Sequence, residues 1–230
     1  MVARRRFGAR GVQRALKRVL DPVLAFVLLV LLAPLFLAIC LWILIESRRP
    51  VFFNHARAGK HGRPFRMFKF RTMVPNAIEL GRELHLSDDP FGVLPKDPRI
   101  TRSGRFLRRT GLDELPQLGN VLLGQMSLVG PRPDLLEQAA NYTDSDRRRL
   151  AVLPGITGWA QVNGREEVPW PERFEQDAWY VEHWSLPLDA KILLKTLAQP
   201  FRGQPSPVED TMNIERARAK ERRELAQPRR

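Results

Sequence analysis

Apolar residues fall into three regimes along this chain. From Pro22 to Ile45 they form a run of 24 residues without a charge, from Arg48 onward they recur at short intervals among polar residues, glycines and prolines, and beyond Gln204 they become sparse. The first regime predicts a membrane element. As helix, 24 residues at ~1.5 Å each would cover about 36 Å, enough for a hydrocarbon core of roughly 30 Å. Pro34 divides the run nearly in half, and a proline removes one backbone bond and crowds the preceding turn, so a kink is predicted there. Both flanks are basic, with Lys17 and Arg18 before the run and Arg48 and Arg49 after it. Positive charge marks the cytoplasmic side, so two basic flanks suit a segment that enters, bends at Pro34 and returns. Prolines are also common in spanning helices. On the residues alone the spanning reading is favoured, with the re-entrant one as its alternative.

The second regime mixes periods. Val51 to Asn54 and Phe65 to Phe70 read as two short strands around a Gly59/Gly62 turn, with Lys69 and Arg71 emerging near a strand end. Asn76 to Leu86 is predicted helical, and Ser87 to Pro98, rich in Asp, Gly and Pro, a loop. Leu112, Leu115, Leu118, Val121 and Leu122 recur at three- and four-residue intervals, which predicts a helix ending near Gly124 with Pro116 in its first turn. Met126 to Val129 reads as a strand before the rigid turn Gly130-Pro131-Arg132-Pro133, and Thr157 to Val162 as another before an Asn163–Gly164 turn. Glu172 to Trp184 and Asp189 to Leu197 are predicted helices. Trp179, Tyr180 and Trp184 suit either a core or a bilayer surface. The charged end of the chain is predicted to be a frayed helix or disordered.

Charge narrows the function. A formal net charge of +13 and a pI near 11.0 point to nucleic acid, anionic lipid or a phosphorylated substrate. Zinc-finger spacing is absent, and aromatic residues are not interleaved with the basic clusters, which argues against nucleic acid. The single cysteine, Cys40, lies within the apolar run, so no intrachain disulfide forms. His55, His61, His85 and His183 show no metal-ligand spacing.

Within this basic chain Asp113 and Glu114 stand side by side. Taken alone, Asp113 is a helix N-cap and Glu114 a favourable first-turn acid. Four arginines in turns or at element edges, Arg71, Arg108, Arg132 and Arg165, suit phosphate oxygens, which guanidinium groups bind two at a time. A carboxylate in that company is expected to keep a low pKa and stay ionised, as a nucleophile or hard-metal ligand requires. Two acids with substrate phosphates also form an ordinary magnesium arrangement, so Asp113 and Glu114 are candidate Mg2+ ligands. The chemistry indicated is phosphoryl transfer. Adjacent side chains at a helix start point about 100° apart, which does not suit the opposed carboxylates of glycoside hydrolysis.

Residues 69 to 73 (KFRTM), 97 to 133 (DPRITRSGRFLRRTGLDELPQLGNVLLGQMSLVGPRP) and 154 to 165 (PGITGWAQVNGR), with the pattern Asp177, Tyr180, Trp184, Ser185 and Asp189, resemble the bacterial sugar transferases. These are monotopic polyprenyl-phosphate phosphoglycosyl transferases, and the resemblance covers roughly residues 18 to 203. It implies that Asp113 is a nucleophile attacking the β-phosphate of a nucleotide sugar. A nucleoside monophosphate, with uridine the expected nucleoside, would leave a phosphosugar–aspartyl intermediate for polyprenyl (undecaprenyl) phosphate to collect. Glu114 would assist through magnesium or proton handling, and Arg108, Arg132 and Arg165 would lie near the phosphates or nucleotide. The family's role is to start exopolysaccharide, O-antigen or glycoprotein glycan assembly.

The resemblance also turns the membrane reading to a re-entrant helix broken at Pro34, in the bacterial plasma membrane with the catalytic part on the cytoplasmic face. Many members carry serine before that proline, where this chain has Ala33. The further N-terminal transmembrane helices of larger members are missing here, so the small catalytic unit alone is expected. The implied fold class is α+β, a helix-break-helix anchor joined to a small mixed domain of helices and short strands with interfacial amphipathic helices. The implied divisions are a basic segment at 1–19, the anchor at 20–47, the catalytic domain at 48–204 and the tail at 205–230. A homodimer is compatible with this reading. The rival readings are a non-catalytic basic scaffold at the membrane surface and a nucleotide-sugar hydrolase.

Overall fold

A computed structural model describes residues 2–84, 97–164 and 170–198. Helix α1, Val2–Leu31, runs without interruption through the basic segment into the apolar one, and α2, Ala33–Ser47, follows at an angle of 63°. The break is at Leu32, and Pro34 lies in the first turn of α2. There its missing N–H costs little, because first-turn amides have no partner within the helix. Among the described residues no single helix is long and apolar enough to cross a membrane; the bent pair meets that test only when taken together.

Strands β1 (Phe52–Ala58) and β2 (Pro64–Phe70) form an antiparallel hairpin in which Phe52 opposes Phe70 and Ala58 opposes Pro64. Helix α3 covers Ala77–Glu83, as the sequence predicts, whereas most of the predicted loop at 87–98 lies outside the described residues. Helix α4, Arg102–Thr110, was not anticipated. Thr101 caps it by accepting from the Gly104 amide at 2.9 Å, and Gly111 ends it in the left-handed region at φ 72°.

The predicted helix over Leu112 to Gly124 is two pieces, a single 3-10 turn at Leu112–Glu114 and α5 at Gln117–Leu122. Gly111 reverses the chain before the first piece and Pro116, which cannot donate, stands before the second. Asp113 therefore caps no helix, since neither piece has a side-chain cap.

Strand β3, Ser127–Val129, pairs in parallel with β4, Gly155–Thr157. Between them lie α6 (Leu136–Ala140) and α7 (Asp144–Arg147). The strand expected over Thr157 to Val162 is corrected: pairing stops at Thr157, and Trp159–Val162 forms a short helix, α8. The cause is close backbone approach. A Cβ on Gly158 would sit 2.3 Å from the Gly130 carbonyl oxygen, so the chain turns where only glycine fits. Helices α9 (Trp170–His183) and α10 (Leu186–Ala198) complete the fold.

The main core gathers Met67, Leu118, Val121, Met126, Leu128, Val129, Tyr180, Trp184 and Ile192 around Ala25 of α1. A second cluster joins Ile39 and Ile43 of α2 to Phe70 and Leu107. Tyr180 and Trp184 are thus core residues, while Trp179 remains 39% exposed.

Polar ties reinforce both junctions. Lys17 of α1 donates to Asp189 at 2.6 Å and to the Val129 carbonyl at 3.2 Å, while Ser127 donates to Asp21 at 2.5 Å. At the far end of the pair, Glu46 accepts from the Arg102 and Ser103 amides at 2.6 and 2.8 Å, holding the N-terminus of α4.

Candidate active site

Glu114 is held by two cations. Lys69, the penultimate residue of β2, donates to its Oε1 at 2.8 Å, and Arg132 grips both oxygens, at 2.8 Å to Oε1 and 3.2 Å to Oε2. Such a two-pronged bond needs the planar guanidinium fork. Arg132 stands between Pro131 and Pro133, directly after β3 and Gly130, so its backbone is stiffly mounted.

Asp113 is placed differently. It is 8% exposed and accepts no hydrogen bond among the described residues; its nearest cation is Lys69, at 3.8 Å from Oδ2. Arg108, in the last turn of α4, interacts electrostatically with Asp113 while its Nε donates to the Thr72 hydroxyl at 2.8 Å.

The two acids respond in opposite senses. For Asp113, burial pushes the pKa up and the Glu114 charge adds to the rise, while Lys69, Arg108 and Arg132 offset only part of it. For Glu114, burial also works upward, but Arg132 and Lys69 outweigh it and hold the carboxyl well below the usual range. The expectation of a low pKa at Asp113 is therefore corrected, because the cations close their hydrogen bonds on its neighbour.

Of the residues proposed from sequence, the structure brings together Asp113, Glu114, Arg108 and Arg132. Arg71 lies elsewhere. Its terminal NH2 group is within hydrogen-bond distance of the Ser47 carbonyl, the Ser47 hydroxyl and the Arg48 carbonyl, at 2.9, 2.7 and 2.7 Å, so it ties the hairpin to the end of α2. Arg165 lies outside the described residues, as does His85. Pro34 is at the bend of the helix pair. The site residue that sequence reasoning did not select is Lys69; its signal was a cation near the end of a strand whose neighbouring positions, Phe68 and Phe70, are aromatic.

A buried network holds the Arg132 segment. Arg149 donates to the Arg132 carbonyl at 2.8 Å, to Asp177 at 2.6 Å, to the Tyr142 hydroxyl at 2.7 Å and to Asp134, which also accepts from Tyr142. Burial opposes its charge, and the Asp134 and Asp177 carboxylates outweigh that opposition, so Arg149 stays firmly cationic.

For a metal, the donor set is narrow. Among the described residues no three His, Cys, Asp or Glu side chains are grouped to hold an ion. Both Glu114 oxygens are engaged by cations, which leaves the Asp113 carboxylate as the available ligand. Mg2+ accepts so few protein ligands when substrate phosphates supply others.

Comparison with known proteins places the chain among relatives by sequence. The family described as bacterial sugar transferase matches residues 12–203. The chain is 44% identical over 182 residues to the uncharacterised sugar transferase EpsL of Bacillus subtilis, covering 79% of this chain and 85% of that one. It is 44% identical over 197 residues to the undecaprenyl-phosphate galactose phosphotransferase of Salmonella typhimurium, covering 82% of this chain. It is 41% identical over 199 residues to the UDP-glucose:undecaprenyl-phosphate glucose-1-phosphate transferase of Escherichia coli, covering 83% of this chain. The matched regions span 41% of the length of each of these last two relatives. With the acid pair, its arginines and the Gly-Pro-Arg-Pro turn inside the matched region, the chain belongs to the bacterial sugar transferase family.

Proposed function

We propose that this protein transfers a sugar-1-phosphate from a uridine-diphosphate sugar to undecaprenyl phosphate through a covalent intermediate on Asp113, the step that initiates an exopolysaccharide, O-antigen or other glycoconjugate. The observation that carries the reading is the division between the two acids: Glu114 is closed off by Lys69 and Arg132, while Asp113 beside it accepts no hydrogen bond among the described residues. A carboxylate whose lone pairs are unclaimed, next to cations that can receive a diphosphate, is arranged for attack on phosphorus.

In the first step an Asp113 carboxylate oxygen bonds to the phosphorus bearing the sugar, and the bond from that phosphorus to the bridging oxygen breaks, releasing uridine monophosphate. In the second, an oxygen of the lipid phosphate bonds to the same phosphorus and the aspartyl bond breaks, restoring the carboxylate. Lys69, Arg108 and Arg132 orient the anionic donor, and Glu114 keeps Lys69 and Arg132 in place. Asp113 would be the residue to hold Mg2+, which when bound would supply positive charge against the diphosphate.

The same reading takes the bent pair as a re-entrant anchor in the bacterial plasma membrane, with the remaining chain on the cytoplasmic face. Support comes from both ends of the pair being tied to one domain: Lys17 and Asp21 to Asp189 and Ser127, and Glu46 to the start of α4. A spanning helix would carry those ends to opposite sides. Val23, Phe26, Val27, Val30, Leu31 and Leu37, each more than half exposed, suit lipid.

Intact-protein mass spectrometry after incubation with UDP-galactose or UDP-glucose, without acceptor, tests the chemistry. A phosphosugar adduct is expected on the wild type and not on Asp113→Asn, which also forms no lipid-linked product. Transfer by that variant at the wild-type rate would reject the assignment, as would a requirement for both substrates bound together with no adduct at any time.

A further inference from the structure

Lys69 shares its face of the hairpin with a second cation. Directly opposed residues of antiparallel strands project to the same side, so the register Phe53↔Lys69, His55↔Met67 and Arg57↔Phe65 places these six on one face. The stacked Phe53 and His55 rings, 6.1 Å apart, agree. Phe65 and Lys69 are four positions apart, about 13 Å of strand, so Arg57 stands toward the other end of the row from Lys69. Glu114 links the two ends: it binds Lys69 and Arg132 directly, and Arg57 interacts electrostatically with both Glu114 and Arg132.

The backbone around Arg57 points the same way. Arg57 bridges Leu135, and the neighbouring Ala58 amide donates to the Asp134 carbonyl at 2.9 Å, which sets this stretch of β1 against the chain leaving Gly-Pro-Arg-Pro. Yet the Arg57 side chain makes no hydrogen bond with any described residue, and its Nε is shut off from solvent with no acceptor. A guanidinium has five N–H donors, and one half-buried with none of them used by the protein is short of an anionic partner. Asp134, one of the carboxylates within its electrostatic reach, already receives Arg149 and Tyr142. Burial and the Arg132 charge lower its pKa to about 10, against the pull of Asp134, Glu114 and Glu137.

We propose that Arg57 is a substrate-binding residue whose guanidinium donates to the anionic oxygens of a phosphate lying beside Arg132. The assignment rests on the reading of the site as a phosphoglycosyl transferase. Two sources share the chemistry, the diphosphate of the donor and the phosphate of the lipid acceptor. Lys69 and Arg132 hold Glu114, and Arg57 is the cation of this row with its donors uncommitted to protein.

The test compares wild type, Arg57→Gln and Arg57→Lys in detergent, each first checked for its thermal midpoint. Titration with uridine diphosphate, followed by calorimetry, reads the donor arm, and the KM for undecaprenyl phosphate in the full reaction reads the acceptor arm. Arg57→Gln is expected to weaken one arm at least tenfold with a midpoint within a few degrees of wild type. Arg57→Lys, keeping the charge but losing the fork, is expected to fall between. If Arg57→Gln does not fold, Arg57→Lys decides alone, with a threefold or greater weakening expected. Both arms within twofold of wild type in the folded variants would overturn the proposal. Wild type that binds uridine diphosphate but makes no lipid-linked product would defeat the transferase reading alone, and loss of that binding in Arg57→Gln would still uphold Arg57 as a phosphate ligand.

Discussion

At the residue scale, the site turns on the fork between Arg132 and Glu114. Lysine in place of Arg132 keeps the charge but cannot close on both carboxylate oxygens. Arg132→Lys is therefore expected to lower kcat/KM by ~10- to 100-fold, about 1.4 to 2.7 kcal/mol. The thermal midpoint should move little, because the Arg132 side chain is 37% exposed and an ion pair there contributes modestly to folding. Initial-rate transfer assays beside thermal melts check both halves, and an unchanged rate would show that the fork is dispensable. Arg132 was legible in the sequence because two prolines announce a rigid mount. The choice between Lys69 and Arg71 was not, since both stand at the end of one strand. β2 stops at Phe70, so Lys69 keeps its place in the pleat beside Glu114, while Arg71 leaves it and binds the end of α2.

At the scale of elements, Arg149 decides whether the segment carrying Arg132 is held. It joins that segment to Asp134, Tyr142 and Asp177 of α9, all buried. Removing one partner of a buried ion pair leaves uncompensated charge, so Arg149→Met is expected to destabilise the fold by about 3–5 kcal/mol near neutral pH. The loss should shrink in acid. Burial pushes the Asp177 pKa up to about 6 even with Arg149 pulling it down, and the variant removes that pull. A carboxyl raised above its unfolded value binds more protons when folded, so its contribution to stability is present at low pH and lost as pH rises through the folded pKa. Melts of both proteins at pH 5 and pH 8 check this, and a wild-type-to-variant gap that widens toward pH 5 would contradict it. Elements with a clear apolar period, such as the hairpin, α5 and the last two helices, were readable from sequence. Helix α4 was not, because Phe106 and Leu107 are the only large apolar residues in a basic stretch and its ends are fixed by Thr101, Glu46 and Gly111. The α8 turn was missed for a related reason: the backbone approach of Gly158 to Gly130 is long-range and leaves no local period.

At the scale of the whole molecule, the bent helix pair is bonded at both ends to the elements that carry the site. Lys17 reaches the carbonyl of Val129, the last residue of β3, and three residues further on is Arg132, so the helix entering the apolar segment is bonded to the strand that presents the site. The other helix is bonded through Glu46 to α4, which carries Arg108. Sequence alone could not separate spanning from re-entrant, because apolar length and a central proline suit both; the polar ties at the two ends support the re-entrant arrangement proposed above. Breaking Lys17 from Asp189, Ser127 from Asp21 and Glu46 from α4 is what a spanning arrangement would demand. The prediction is that, in a Cys40→Ser background, single cysteines replacing Val12 and Gly62 are labelled by an impermeant maleimide from the same side of the membrane, in inverted vesicles and not in intact cells. Val12 and Gly62 are exposed; Val12 lies in α1 ahead of the apolar run, and Gly62 follows α2. Labelling of one position from each side would place the two ends across the bilayer, and the bond between Lys17 and Asp189 would then have to be absent from the protein at work.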